Sequence, residues 1–185
     1  ALARGEMLWA VDYDADKTES YGGTSYILSA TLASTDITDT SRPNGQVNGW
    51  AGLRVPYEYV EKYFDVSGQD YDTGTYEVAD KRGEVFYIKG RQESMDGALY
   101  SFMNGWSCLK FNNIPYGKTD EEFLPVSATK GFSDVDFPMI RLGEIYLIYA
   151  EACMNTGASG QAMPMLRALS ERAGVDPPSE ITREF

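Results

Sequence analysis

Apolar residues recur at three- and four-residue spacing through Phe137 to Ala173, and there the pattern predicts two antiparallel helices. From Leu142 the positions Leu142, Ile145, Tyr146, Tyr149, Ala152 and Cys153 share one stripe, while Leu147, Ile148 and Ala150 carry apolar surface to the other sides. A helix apolar on most sides is expected to sit between neighbours, which assigns Tyr146 and Tyr149 to a core. Pro138 stands just before it, and Gly157 is suited to end it in the left-handed conformation. The second helix carries Ala162, Met165, Leu166, Leu169 and Ala173 on one stripe and stops at Gly174. Pro164 is tolerated only in a first turn, so this helix is expected to begin near Gln161 or Ala162.

Elsewhere the pattern predicts less regular structure. Glu6 to Val11 reads as a short strand with Trp9 in a core. Thr24 to Ala30 fits either helix or strand. Thr35 to Gly49, with a turn at Pro43-Asn44-Gly45, reads as a long surface loop. Pro56 opens a short helix with Val60, Tyr63 and Phe64 inward. Asp65 to Ala79 reads as a polar connection, Asp80 to Ile88 as a stretch in which an Asp80–Arg82 pair would order the entry to a strand, and Trp106 to Phe111 as a second strand. Glu93 to Gly105 and Asn112 to Asp136 read as loops.

Two resemblances follow from these residues. The helix pair resembles a tetratricopeptide unit; alignment on Gly157 puts Tyr146 at the aromatic position, Ala150 at the small one, and Ala162 and Leu166 at packing positions. A single unit cannot bury its own faces, so about two more are expected outside the visible sequence. More specifically, Phe137 to Ala152, FPMIRLGEIYLIYAEA, resembles the FPxxRLAExYLxxAEA signature of the SusD/RagB-like family, with Gly143 replacing the usual Ala. Trp50 to Phe64, Asp80 to Arg82, Arg172-Ala173-Gly174 and Ile181 to Phe185 are similar to further family segments. The resemblance implies a mainly α, SusD-like fold: a tetratricopeptide-type helix pair at about 139–174, long irregular loops and a few short β-strands, with residues 1–185 forming one C-terminal region of a larger domain. Family members are exported nutrient-binding lipoproteins of the Bacteroidetes outer membrane. The start at Ala1-Leu2-Ala3-Arg4 lacks a leader and Thr182 to Phe185 looks like the first turn of a further helix, so the expectation is a later piece of a longer protein, anchored through a lipid outside this stretch.

Composition narrows the chemistry. A net charge of −12, with only 16 Lys plus Arg, excludes nucleic acid and anionic membrane surfaces as partners. A hydrophobic content of 43% excludes disorder, and no apolar run reaches the roughly 18 residues a spanning helix needs. There is no histidine, hence no His-based triad or ordinary zinc site, and no G-x-S-x-G, P-loop or dinucleotide fingerprint. Among 28 Asp plus Glu nothing isolates a facing carboxylate pair. Asp12, Asp14 and Asp16 alternate as in an EF-hand, but Lys17 stands where that loop needs Gly and Gly23 where it needs Glu. Cys108 and Cys153 are expected as free thiols. The expectation is a protein that is not an enzyme and takes no cofactor or metal.

Aromatic surface offers the better route to a ligand, because sugar C–H faces stack on Tyr and Trp while polar neighbours engage hydroxyls. The family's sugar contacts follow no fixed motif, so candidates rest on loop position: Tyr13, Tyr21, Trp50, Tyr71 and Tyr76, with Tyr116 beside them. The resemblance implies a glycan ligand and hand-over to a TonB-dependent, SusC-like transporter. The alternative is a tetratricopeptide-type scaffold that binds protein or peptide.

Overall fold

The structure, a computed structural model, describes residues 5–37, 39, 44–95, 101–114 and 131–181. Tyr116, Pro43 and Thr182 to Phe185 lie outside the described residues. In chain order the elements are β1 (Met7–Val11), α1 (Gly23–Thr31), α2 (Tyr57–Phe64), β2 (Val66–Asp70), β3 (Thr75–Val78), β4 (Phe86–Tyr87), β5 (Ser107–Cys108), β6 (Phe137–Arg141), α3 (Leu142–Asn155) and α4 (Met163–Ala173), with 3-10 turns at Lys81–Val85 and Ser159–Gln161. Helices and short strands are thus mixed, with irregular connections between them. The chain divides into two compact units, one holding Ala1–Val11, Ala79–Arg82 and Pro138–Phe185, the other Asp12–Val78 and Gly83–Phe137.

In the first unit the two expected helices form, α3 packing on α4. Ala150 and Cys153 of α3 meet Ala162 and Leu166 in a small buried cluster. Both helices close in the same way. Gly157 and Gly174 adopt φ of 74° and 75°, while Ala158 N–H donates to Cys153 O and Val175 N–H to Ser170 O, so carbonyls the helices leave open are satisfied. Pro138 is in a strand, β6, which pairs with β1 in a two-stranded sheet where a missing N–H is tolerated at an open edge. Leu142 N–H donates to Glu6 O at 2.7 Å where that strand becomes α3. The Glu6 carboxylate accepts from Arg141 at 2.7 Å and Arg172 at 2.6 Å, which joins the β1 end of the sheet to α4.

Two core assignments in this unit are corrected: Tyr149 is 39% exposed and Trp9 58%. For Trp9 the physical reason is that a two-stranded sheet leaves one face open, and for Tyr149 that two helices in contact bury one stripe each. Ile145, Leu147 and Ile148 therefore stay exposed as well.

The second unit is built round Trp106, which is fully buried among Val60, Val66, Phe86 and Ile88. Val60 and Phe64 face inward from α2 as expected, whereas Tyr63 is exposed. Asp65 takes the left-handed conformation, ends α2 and turns the chain into a β2–β3 antiparallel hairpin, so the stretch read as a polar connection is regular structure. Its turn is held by Asp70, whose carboxylate accepts the N–H groups of Asp72 and Thr73; those bonds hold its pKa below the usual carboxylate range. Phe86 and Tyr87 of β4 pair with Cys108 and Ser107 of β5; the expected Asp80–Arg82 bond, present at 2.9 Å, belongs to the first unit. Both cysteines are free. Within 35–49, Asp36, Ile37, Asn44 and Gln46 are buried, which corrects the surface-loop reading. Asp36 and Arg91 form an ion pair at 2.6 Å with both side chains nearly inaccessible.

Candidate functional site

The ambiguous stretch after Tyr21 is helix α1, and its surroundings explain why nine residues suffice. A helix this short is marginal alone. Here three of its last four carbonyls and that of its C-cap are answered: Trp50, Leu53 and Ala51 N–H donate to Ser29, Ala30 and Leu32 O at 2.7, 3.0 and 2.9 Å, and Asn44 Nδ2 donates to Leu28 O. Gly49 passes so close to this helix end that a Cβ there would lie 2.5 Å from the Ala33 carbonyl carbon. Ala51 follows with a left-handed φ of 57°, a conformation that costs an L-residue roughly 1–2 kcal/mol. The net effect is that Trp50 is clamped by backbone on both sides.

The same helix gathers the other walls. Ser133 N–H donates to Ser25 Oγ at 2.9 Å and seats the 132–136 strip, and Asp134 and Asp136 accept the N–H groups of Ala15 and Tyr13. The Tyr13 phenol lies against Gly23 at the start of α1, where no side chain would fit. Thr24, Ser25, Leu28 and Ser29 face inward, so Tyr26 points the opposite way.

The result is an exposed aromatic patch. Tyr21 meets Trp50 edge-on at 5.6 Å and Phe132 at 5.1 Å, and Tyr26 reaches Trp50 at 6.3 Å. Tyr21 is 65% exposed and Trp50 38%, an uncommon cost for rings that a core could have absorbed. Rings so placed offer faces on which C–H groups could stack. In the adjoining acidic loop the Asp14 carboxylate is taken by Lys17 Nζ at 2.6 Å and by the Asp16 N–H, and among the described residues no group of three or more carboxylates or thiols is placed to hold a metal.

Of the sequence candidates, Tyr13, Tyr21 and Trp50 converge round α1. Tyr71 and Tyr76 stand elsewhere, half-buried against Trp106 at 6.4 and 5.3 Å. Tyr76 Oη donates toward the carbonyls of Gly83 and Phe86 and accepts the Phe86 N–H. Tyr71 Oη donates to Glu93, and burial, then that carboxylate, pushes its pKa up, so it stays a donor. Sequence reasoning missed Tyr26 and Phe132. Tyr26 becomes visible once 23–31 is known to be helical, because it falls opposite Leu28 and Ser29; Phe132 arrives through a long-range contact that leaves no local signal.

Two recesses lie elsewhere. One of about 560 Å³ runs between α3 and α4, lined by Leu147, Leu166 and Leu169 with Arg141 and Arg172, whose guanidinium groups are already given to Glu6. The other, of about 430 Å³, is lined by Asp36, Asp39, Tyr87 and Lys89, which bond among themselves and to Arg91. Burial, then Asp36 and Asp39, raises the Tyr87 pKa. Neither recess presents aromatic faces in the way the α1 patch does.

The profile of the SusD family matches residues 71–184. The starch-binding protein SusD of Bacteroides thetaiotaomicron is 25% identical over 204 residues, covering 92% of this chain and 34% of that protein. A SusD-like protein of Bacteroides ovatus is 27% identical over 156 residues, covering 80% of this chain and 26% of its own length. A SusD superfamily crystal structure from Parabacteroides distasonis shares the fold with a TM-score of 0.52 at 21% identity, over 96% of this chain and 33% of that one. The chain thus spans about a quarter to a third of the length of these relatives.

Proposed function

We propose that this chain, which belongs to the SusD family, is part of a glycan-capturing protein that binds oligosaccharide without cleaving it. The observation that carries this reading is the aromatic cluster round α1, with Tyr21, Tyr26 and Trp50 exposed and Phe132 half-buried beside them. Rings fixed by backbone bonds lose little entropy when a sugar stacks on them, so the stacking energy appears as affinity. Tyr13 flanks the patch, and Tyr71 and Tyr76 contribute only the ring area that Trp106 leaves open. Support for a sugar ligand comes from the relative named as a starch-binding protein. The full-length protein is then a lipid-anchored component of the outer-membrane surface that caps a TonB-dependent, SusC-like transporter and passes glycan to it. No helix among the described residues is long and apolar enough to cross a membrane, so attachment through a lipid is compatible with this chain. Its helix pair is then one tetratricopeptide-type unit of a larger array.

Affinity electrophoresis and calorimetry on the full-length protein test this reading, against amylopectin, arabinoxylan and mixed-linkage β-glucan. Retention by at least one polysaccharide, without release of reducing ends, is the expected result; binding of peptides with no polysaccharide retained overturns it. The second reading, a scaffold for protein or peptide, draws on the exposed aliphatic face of Ile145, Leu147 and Ile148. A glycan-negative protein that co-purifies stoichiometrically with a polypeptide through that face would favour it.

A further inference from the structure

Several apolar surfaces stay exposed among the described residues, and the three on helices differ in chemistry. The face on α3 is chiefly aliphatic. The patch on α1 is aromatic and is the site proposed above. The third, on the outer side of α2, consists of Tyr59 and Tyr63, 51% and 53% exposed.

We propose that Tyr59 and Tyr63 form a second carbohydrate-contacting surface, which stacks on uncharged pyranose units of a long polysaccharide already held at the α1 patch. The proposal rests on the glycan-binding reading. Tyr59 and Tyr63 stand four residues apart, on one side of the helix, with ring centroids at 4.7 Å and planes inclined at 47°. Val60 is fully buried and Phe64 packs inward, while Tyr59 meets the Phe64 ring edge-on at 6.3 Å, which anchors the outer pair to the core and still leaves each tyrosine about half exposed. Among the described residues neither phenol hydroxyl bonds to the protein, which leaves both free to donate and accept.

The neighbours select the ligand. Glu58, Glu61, Lys62 and Asp65 are all exposed on or beside this helix, and Lys62 Nζ lies 5.2 Å from the Tyr63 ring centre. Protein interfaces centre on patches depleted of charge, whereas a polyol gains from rings ringed by carboxylates and an ammonium that take its hydroxyls. Three acids against one base disfavour an anionic glycan. The inclination of the rings suits consecutive sugars of a chain that turns along its length, since two coplanar sugars cannot lie flat on both.

A second contact on the same polymer acts through effective concentration, so its effect should appear with long chains and vanish with short ones. The test compares full-length wild type with Tyr59→Ala/Tyr63→Ala, using whichever neutral polysaccharide the wild type retains and a short oligosaccharide cut from it. The expected result is about a tenfold loss of polysaccharide affinity with oligosaccharide affinity unchanged. Tyr59→Phe/Tyr63→Phe, which keeps the rings, should recover most of the loss. Unchanged polysaccharide retention by the alanine variant overturns the proposal, and if its melting temperature also drops, the two rings serve the fold instead. A wild type that retains no polysaccharide removes the glycan-binding reading itself; a wild type that binds while the alanine variant binds equally removes only the α2 surface.

Discussion

Tyr21 and Trp50 meet edge to face, their centroids 5.6 Å apart and their planes at 60°, although the chain runs through α1 and the whole 32–49 segment between them. The contact exists because Trp50 is bonded to the end of α1 and Tyr21 precedes its start. Each ring is exposed, so each is available to a ligand while contributing little to folding. Tyr21→Ala and Trp50→Ala should each lower glycan affinity by about tenfold, corresponding to roughly 1.4 kcal/mol of lost stacking, with melting temperature nearly unchanged. Calorimetry beside thermal unfolding reads both; a large loss of stability with intact affinity would assign the rings to structure.

Gly49 supplies an orthogonal handle on the same geometry. Its backbone lies against Ala33 with no room for a Cβ, so Gly49→Ala must push the Trp50 segment away from α1. The expected cost is about 1–3 kcal/mol of stability, accompanied by weaker glycan binding although no ligand-facing atom is removed. Denaturant unfolding and titration of the same sample check the coupling; normal values for both would contradict the clamp.

Tyr76 serves the fold through its hydroxyl. Tyr76→Phe leaves the Phe86 N–H and two carbonyls without their partner and should cost about 1–3 kcal/mol in denaturant unfolding. A variant as stable as wild type would show that solvent replaces these bonds.

Glu6 gives the first unit a pH dependence. Arg141, then Arg172, hold its carboxyl below the usual carboxylate range. A carboxylate depressed in the folded state adds stability above its unfolded pKa and loses that share as pH falls through its folded value. Stability should therefore fall between about pH 5 and about pH 3, and Glu6→Gln should be less stable near neutrality yet flatter across that window. Parallel slopes for the two proteins would mean that the Arg141–Glu6–Arg172 tie contributes nothing.

What was legible in the sequence was what local pattern controls. The 3.6-residue stripe located α3 and α4, and Gly157 and Gly174 marked their ends because only a residue without a Cβ takes that conformation cheaply. The motif around Leu142 carried the family resemblance for the same reason, since residues fixed by helix packing keep their spacing. Pattern failed where neighbours decide. Tyr149 and Tyr63 carry rings on faces that their neighbours leave partly open, and β2–β3 forms from a stretch that reads as polar although Val66, Tyr76 and Val78 turn inward.

The candidate site divides along the same line. Its residue types, loop tyrosines and a tryptophan in an acidic chain without histidine, were readable directly, and they pointed to stacking in preference to acid–base chemistry. Which rings would stand together was not readable, because it depends on α1 capping its carbonyls with the Trp50 segment and on Ser25 seating Ser133. Sequence alone determined the helix pair, its stop signals and the chemistry on offer, all set by neighbours within a few residues. Only the tertiary structure decided that Tyr21, Tyr26, Trp50 and Phe132 share one surface while Tyr71 and Tyr76 serve Trp106, because long-range backbone hydrogen bonds and core packing assign each ring its side.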